Sequence, residues 1–270
     1  MSDESRPSPA DTPVTSPVAT PVTSPVTSPP RARTAAVIPA AGRGVRLGPG
    51  APKALRTLGG TPMLIHAVRA MAASRAVSLV VVVAPPEGAV EVKTLLAAHA
   101  LPERTDFVVV PGGGSRQESV RLGLDALPPE YDVVLVHDAA RPLVPVDTVD
   151  SVIEAVRGGA PAVVPALPLA DTVKEVAPAA APGGAEPVVA TPERARLRAV
   201  QTPQGFDRQV LVRAHAEVTE NVTDDASMVE QLGLTVVVVP GHEEAFKVTR
   251  PLDLVLAEAV VARRRLNDGF

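Results

Sequence analysis

The chain has 270 residues, 46% of them hydrophobic, and a formal net charge of -4, so it holds enough apolar material for one large domain or two small ones. An acidic balance argues against nucleic acid or an anionic membrane as the main partner, since both need clustered Lys and Arg, and any bound anion must be met by a local site. The absence of Cys excludes disulfides, thiolate metal sites and a cysteine nucleophile, and 2% aromatic residues without Trp leave little for base stacking.

No apolar run approaches the roughly 20 residues that span a bilayer, the longest candidate being Leu79 to Ala84. The start of the chain lacks the basic and apolar segments of a secretion signal. A cytoplasmic protein with no membrane partner is expected. Residues 1–33 carry Pro13, Pro17, Pro21, Pro25 and Pro29 among Ser, Thr and Val. Prolines at this density block helix and sheet ladders and favour polyproline II, which predicts a disordered tail ahead of a domain over 34–270.

From Ala35 onward, β-branched runs alternate with helical patterns. Strands are predicted at Ala35 to Pro39, Ser78 to Ala84, Asp106 to Pro111, Asp132 to His137, Pro161 to Pro165 and Leu234 to Val239, in Val-rich segments suited to burial on both faces. Thr61 is the expected cap of a helix with Pro62 at its first position and Leu64, Val68 and Met71 along one face. Ser115 with Glu118 forms a capping-box pattern ahead of Val120, Leu122 and Leu127. Further helices are expected at Val146 to Arg157, Arg208 to Thr219, Asp225 to Gln231 and Pro251 to Arg265. The alternation predicts a Rossmann-like, doubly wound α/β fold with a mostly parallel sheet and ligands at the carboxyl ends of the strands. Residues 169–203 break the rhythm and are expected to form a projecting β-arm.

Polar motifs fall at the predicted strand ends. The first strand runs into Pro39-Ala40-Ala41-Gly42-Arg43-Gly44-Val45-Arg46-Leu47-Gly48, with Lys53 close behind. Glycines let backbone N–H groups approach an anion, and Arg46 and Lys53 add charge, which suits a phosphate-binding loop. Gly112, Gly113, Gly114 and Ser115 precede a helix start that offers a second anion or base-edge site, with Ser119 able to bond a nucleobase or ribose. A capped helix after a flexible turn explains Ser115 almost as well. Asp138, in Val136-His137-Asp138-Ala139-Ala140-Arg141, is an acidic residue among cations. Such a residue is costly there unless it holds a metal or a sugar hydroxyl, which makes Asp138 a candidate partner of Mg²⁺, directly or through its water shell, with Arg141 expected simply to pair with it. His137 is expected to pack or hydrogen-bond locally, because no second His or Cys lies at ligand spacing. Lys247 precedes the last helix, a good place to meet a phosphate. On spacing alone Arg194, within Glu193-Arg194-Ala195-Arg196, reads as a solvated charge.

Together the motifs PAAGRGVRLG with PK, GGGSRQESVRLGL, VHDAARP, DTVK, VQTPQGF, TDDAS and FKVTRPLDL occur in one order over about residues 34–265. In this the chain resembles the 2-C-methyl-D-erythritol 4-phosphate cytidylyltransferase family, a nucleotidyltransferase fold of GT-A-like type. The resemblance implies transfer of CMP from CTP to methylerythritol 4-phosphate with release of pyrophosphate, Mg²⁺ as cofactor, and a homodimer. It assigns Pro39, Ala40, Ala41, Gly42 and Gly44 to the loop around CTP, and Arg46 and Lys53 to its triphosphate. Gly112, Gly113 and Ser119 fall where the family contacts cytosine and ribose. Asp138, Ala139 and Arg141 line the site, Lys247 meets the α-phosphate, and Thr249 joins the substrate set. Thr172 and Arg194 match arm residues that reach the sugar phosphate of the other subunit. A single activity is expected, since the chain ends soon after its last helix. The rival readings are a cytidylyltransferase for ribitol 5-phosphate or another polyol phosphate, and a non-catalytic nucleotide-binding regulator.

Overall fold

The computed structural model describes Met1 and residues 33–42, 52–99, 101–219 and 222–267. The chain divides into Met1–Arg31, of which only Met1 is among the described residues, and Ala32–Phe270, which carries all that follows. The expected tail therefore lies almost wholly outside the described residues, except that Arg33 already opens the first strand.

In chain order the elements are β1 (Arg33–Pro39), β2 (Thr57–Leu58), β3 (Thr61–Pro62), α1 (Met63–Ala73), β4 (Val77–Ala84), α2 (Ala89–Ala97), β5 (Asp106–Pro111), α3 (Arg116–Asp125), β6 (Tyr131–Val136), α4 (Val146–Arg157), β7 (Ala162–Pro168), β8 (Glu175–Val176), β9 (Val188–Ala190), β10 (Arg198–Val200), β11 (Gln204–Asp207), α5 (Arg208–Glu217), α6 (Asp225–Gln231), β12 (Val236–Pro240) and α7 (Pro251–Asn267). The main sheet runs β5-β4-β1-β6-β11-β7-β12, with β10 beside the far end of β7. All its pairings are parallel except those of β11 and β10, which run antiparallel to their neighbours.

The Val runs are strands because both faces of the sheet are covered. Along β1, Ala36 and Ile38 join one core with Val80 and Val82 of β4, Leu64, Val68 and Met71 of α1, and Val149 and Ile153 of α4. Ala35 and Val37 face the other core, with Val81 and Val83, Val120 and Leu124 of α3, Leu211 of α5, and Met228 and Val229 of α6. Successive side chains point to opposite faces, so a strand in the middle of such a sandwich must be apolar at every position. Each Val, Leu, Ile or Met side chain so buried stabilises the fold by about 1.5–3 kcal/mol before entropy is counted. Side-chain caps start three helices: Ser115 Oγ accepts from Glu118 N, Asp207 from Val210 N and Asp224 from Ser227 N.

Three expectations are revised. Thr61 does not cap α1. It pairs with Leu58 in a two-stranded ladder, and Pro62 occupies the cap position without a side-chain bond. The helix is held by seven buried side chains, which outweigh a missing cap. Second, the arm is shorter than 169–203, because β10 pairs with β7 and is part of the main sheet. Its projecting portion is the β8–β9 ladder, exposed on both strands. Third, α2 and β11 are additional elements. In α2 only Val92 and Leu96 are buried.

A smaller apolar cluster lies beside the strand ends. Leu58 and Met63 pack on Leu143, Val248, and Ala257 and Val261 of α7. The turn between β2 and β3 is clasped by the same helix: Gly59 N donates to Glu258 Oε1 at 3.0 Å, and Arg265 Nη2 donates to Gly59 O at 2.5 Å. This fixes the segment that follows the short 3-10 helix Lys53–Leu55.

Candidate active site

The polar motifs converge at the carboxyl ends of β1, β5 and β6, the position expected of a ligand crevice in an open α/β sheet. Ala40 N donates to Val83 O at 2.8 Å and Gly112 N to Ala84 O at 2.7 Å, so the two loops leave the sheet side by side. A cleft of about 330 Å³ opens above them. Of the residues selected from sequence, Pro39, Ala40, Ala41, Gly42, Lys53, Gly113, Ser119, Asp138, Ala139, Lys247 and Thr249 line it. Gly44 and Arg46 lie outside the described residues.

The glycine loop before α3 is shaped by close approach. A Cβ on Gly112 would stand 2.8 Å from that of Ala41, and one on Gly113 would stand 2.3 Å from Cγ of Glu118. Glu118 reaches back so that its Oε2 accepts from Gly114 N at 2.8 Å, which completes the capping box one residue earlier than the usual partner. Ser119 is buried; its hydroxyl donates to Ser115 O at 2.9 Å and accepts from Gly113 N at 3.2 Å. Its hydrogen is therefore already committed, and a bound molecule meets Ser119 as an acceptor. Thr249 likewise donates to Asp253 Oδ2 at 2.8 Å, at the start of α7.

Asp138 is the electrostatic centre. Lys247 Nζ lies 2.7 Å from Oδ2, Arg116 Nη2 lies 3.7 Å from Oδ1, and Arg141 Nε lies 3.9 Å from Oδ2. Burial opposes ionisation, but Lys247, Arg116 and Arg141 outweigh it and hold the carboxyl at about 2. Arg141 is anchored mainly by carbonyls, donating from Nη1 to Ala245 O at 2.7 Å and from Nη2 to Val200 O at 3.3 Å. It lies beside Asp138 without a hydrogen bond to it.

Below Asp138 the hydrogens can be assigned by elimination. His137 is fully buried, which pushes its pKa down to about 4 and keeps the ring neutral. Nε2 lies 3.1 Å from Arg141 O, which only accepts, so Nε2 carries the hydrogen. Nδ1 then accepts from the Thr202 hydroxyl at 3.0 Å, and Thr202 Oγ1 in turn accepts the Asp138 backbone N–H at 3.0 Å. The local bonding expected of His137 is thus what fixes the backbone of Asp138.

A second cleft of about 220 Å³ adjoins the first, and both are lined by Arg116, Asp138 and Lys247. The smaller one adds Arg141, Gln201, Thr202, Gln204, Thr223 and Asp224. Gln204 ties this wall together, donating to Asp224 Oδ2 at 2.7 Å and accepting from Ala226 N at 3.2 Å. Thr172 and Arg194 line neither cleft. Both are exposed on the arm, where Arg194 Nη1 donates to Ala170 O at 2.5 Å. Arg116, Thr202 and Thr223 were not singled out on sequence, although GGGSRQES, VQTPQGF and TDDAS contain them. A cation at the first position of a helix, as Arg116 is, was the available signal, because it stands at the disfavoured end of the dipole.

Residues 34–263 match the family model described as IspD: 2-C-methyl-D-erythritol 4-phosphate cytidylyltransferase. The chain is 88% identical over 270 residues to the 2-C-methyl-D-erythritol 4-phosphate cytidylyltransferase of Streptomyces coelicolor, covering 100% of both. Among solved structures it is similar to the enzyme of that name from Thermus thermophilus, at 36% identity and a TM-score of 0.65, covering 84% of this chain and 98% of that one. It is also similar to 4-diphosphocytidyl-2C-methyl-D-erythritol synthase from Anaerococcus prevotii, at 26% identity and a TM-score of 0.72, covering 86% and 99%. With the match running through every strand of the main sheet and both clefts, the chain belongs to the 2-C-methyl-D-erythritol 4-phosphate cytidylyltransferase family.

Proposed function

We propose that the protein transfers CMP from CTP to 2-C-methyl-D-erythritol 4-phosphate, giving 4-diphosphocytidyl-2-C-methyl-D-erythritol and pyrophosphate, in non-mevalonate isoprenoid synthesis. The observation that carries this reading is the pair of adjoining clefts that share Arg116, Asp138 and Lys247. The larger takes the nucleotide, and the smaller takes the polyol phosphate. Pro39, Ala40, Ala41, Gly42, Gly44, Gly112, Gly113 and Ser119 hold CTP, with Arg46 and Lys53 on the triphosphate. Asp138 and Arg141 serve the acceptor.

The acceptor is a phosphate monoester already largely ionised near neutral pH, its second pKa being about 6. One of its oxygens attacks the α-phosphorus, the new P–O bond forms, and the bond to pyrophosphate breaks in line. No general base is needed. What the chain supplies is alignment of two anions and cations where negative charge grows. Asp138 holds Lys247 at the junction of the clefts, where it faces the α-phosphate, and the bonds through Thr202 and His137 hold Asp138. Mg²⁺ fits this donor set. Asp138 is the only carboxylate lining the larger cleft among the described residues, and Mg²⁺ is commonly held by one or two carboxylates plus substrate phosphates. When bound, it would neutralise phosphate charge beside Asp138.

We propose also that two chains form a homodimer in which Thr172 and Arg194 of one arm complete the acceptor cleft of the other subunit. Their exposure and their absence from the clefts of their own chain support this. A cytoplasmic location belongs to the same reading; no helix among the described residues is long and apolar enough to cross a membrane. The test is pyrophosphate release from CTP and Mg²⁺ with a panel of polyol phosphates. Methylerythritol 4-phosphate is expected to be preferred, and a strong preference for ribitol 5-phosphate would refute the assignment.

A further inference from the structure

Behind the wall between the two clefts, Arg116 meets a buried pair, Asp225 and His215, with no part in the reaction as drawn. Arg116 Nη1 donates to Asp225 Oδ2 at 2.7 Å, and Asp225 Oδ1 accepts from His215 Nε2 at 2.9 Å. The Asp225 side chain is 1% exposed and that of His215 is 2% exposed. A carboxylate only accepts, so His215 carries a hydrogen on Nε2. Its Nδ1 is buried without a hydrogen-bond partner, which leaves the ring no polar contact except Asp225. Both oxygens of Asp225 are engaged, one on α5 and one on α3, so the carboxylate is locked against rotation.

The same guanidinium has its Nη2 3.7 Å from Asp138 Oδ1, beyond hydrogen-bond distance. Arg116 therefore spans two carboxylates and is bonded to the buried one. The balance is meaningful, because an arginine fork closes readily on a carboxylate in two parallel bonds. Without Asp225, it would close on Asp138, displace Lys247 and fill the junction of the clefts. Stability alone does not account for the cluster, since a buried ion pair roughly breaks even against well-packed apolar side chains. Arg116 also sits in the first turn of α3, where a cation opposes the dipole, while Asp225 sits in the first turn of α6, where an anion is favoured. Burial works against the charge on Arg116, and Asp225 and Asp138 more than restore it.

We propose that Asp225, oriented by His215, is a positioning residue that holds the Arg116 guanidinium in the shared wall of the two clefts, facing the phosphates of donor and acceptor. The proposal rests on the transfer reaction above. Its test is a double-mutant cycle on the full chain, following pyrophosphate release with both substrates varied. Arg116→Ala is expected to lower kcat/KM about 100-fold, the scale of one lost charge contact. Arg116→Lys should lower it nearly as far, because one ammonium cannot span two carboxylates. Asp225→Asn should lower it about 10-fold through misplacement of Arg116, and the double variant Asp225→Asn with Arg116→Ala should be no worse than Arg116→Ala alone. Multiplying losses in the double variant, Asp225→Asn within twofold of wild type, or Arg116→Lys near wild type would each overturn the proposal. If Asp225→Asn does not fold, Arg116→Lys decides, since its side chain is 35% exposed. A wild-type protein inert toward every polyol phosphate refutes the reaction instead, and the same ratios measured on the CTP dissociation constant then decide the positioning role.

Discussion

The hydrogen bonds beneath Asp138 predict a specific acid sensitivity. His137 is fully buried and its pKa falls from 6.5 to about 4, burial being the main cause and the nearby Arg141 a smaller one. A folded-state pKa below the unfolded value means that the unfolded chain binds the proton first. The stability of the neutral ring is then complete above the unfolded pKa and is lost as pH falls from about 6.5 toward 4. The whole window corresponds to about 3 kcal/mol, at about 1.4 kcal/mol for each tenfold change in proton affinity. About 2 kcal/mol of it should be lost between pH 7 and pH 5. The comparison is with His137→Gln, whose amide can still donate to Arg141 O and does not titrate. Urea unfolding of both proteins at several pH values from 7 to 5 isolates the effect, because His66 and the other histidines cancel in the difference. The wild type should converge on the variant by about 2 kcal/mol as the pH falls. Parallel curves would refute the claim that this ring is held neutral by burial.

Three further outcomes are expected. Lys53→Ala should cut turnover by about 100-fold or more while leaving the melting temperature within a few degrees, and near-normal rates would remove Lys53 from the triphosphate site. Gly113→Ala places a methyl group on Glu118, breaking its bond from Gly114 N. It should cost about 1 kcal/mol, the usual worth of a cap, and raise the KM for CTP. Combining it with Glu118→Ala should add little further loss, whereas fully additive losses in denaturant midpoints would count against this contact. Mixing inactive Arg46→Ala and Arg194→Ala proteins should recover part of the activity through mixed dimers. No recovery despite demonstrated subunit exchange would rule out shared sites.

The order of elements was legible because burial on both faces leaves a blunt signature: a continuous apolar run of Leu, Val and Ala with no polar alternate, as in residues 79–84 of the strand Val77–Ala84. What escaped notice had weaker local signals. The strand Gln204–Asp207 has one large apolar residue, Phe206, and is a strand because β6 and β7 flank it. Helix Ala89–Ala97 buries too little for its period to stand out. Thr61 and Pro62 did suggest a helix start, but pairing with Thr57 and Leu58 took those residues instead. In the site, loops adjoining a strand end were readable, since motif and position lie in one segment. Of the partners of Asp138, Arg141 was readable too, being three positions on in the same motif, but Arg116, Thr202 and Lys247 were not, because they come from three other stretches. Arg116 and Asp225 are 109 positions apart, and the ring of His137 meets Thr202 across 65. No periodicity encodes such meetings.

The clasp of α7 on Gly59 has a consequence for the order in which the molecule is made. Strands β1 to β12 are complete by Pro240, so the main sheet can close before the last helix leaves the ribosome. Glu258 and Arg265, which steady the turn behind Lys53, and Val261, which packs on Leu58, emerge only after every strand of that sheet. A nascent chain can thus own its sheet, its glycine loop and Asp138 while the segment behind Lys53 is still untied. The sheet is encoded ahead of the helix that steadies the segment behind Lys53.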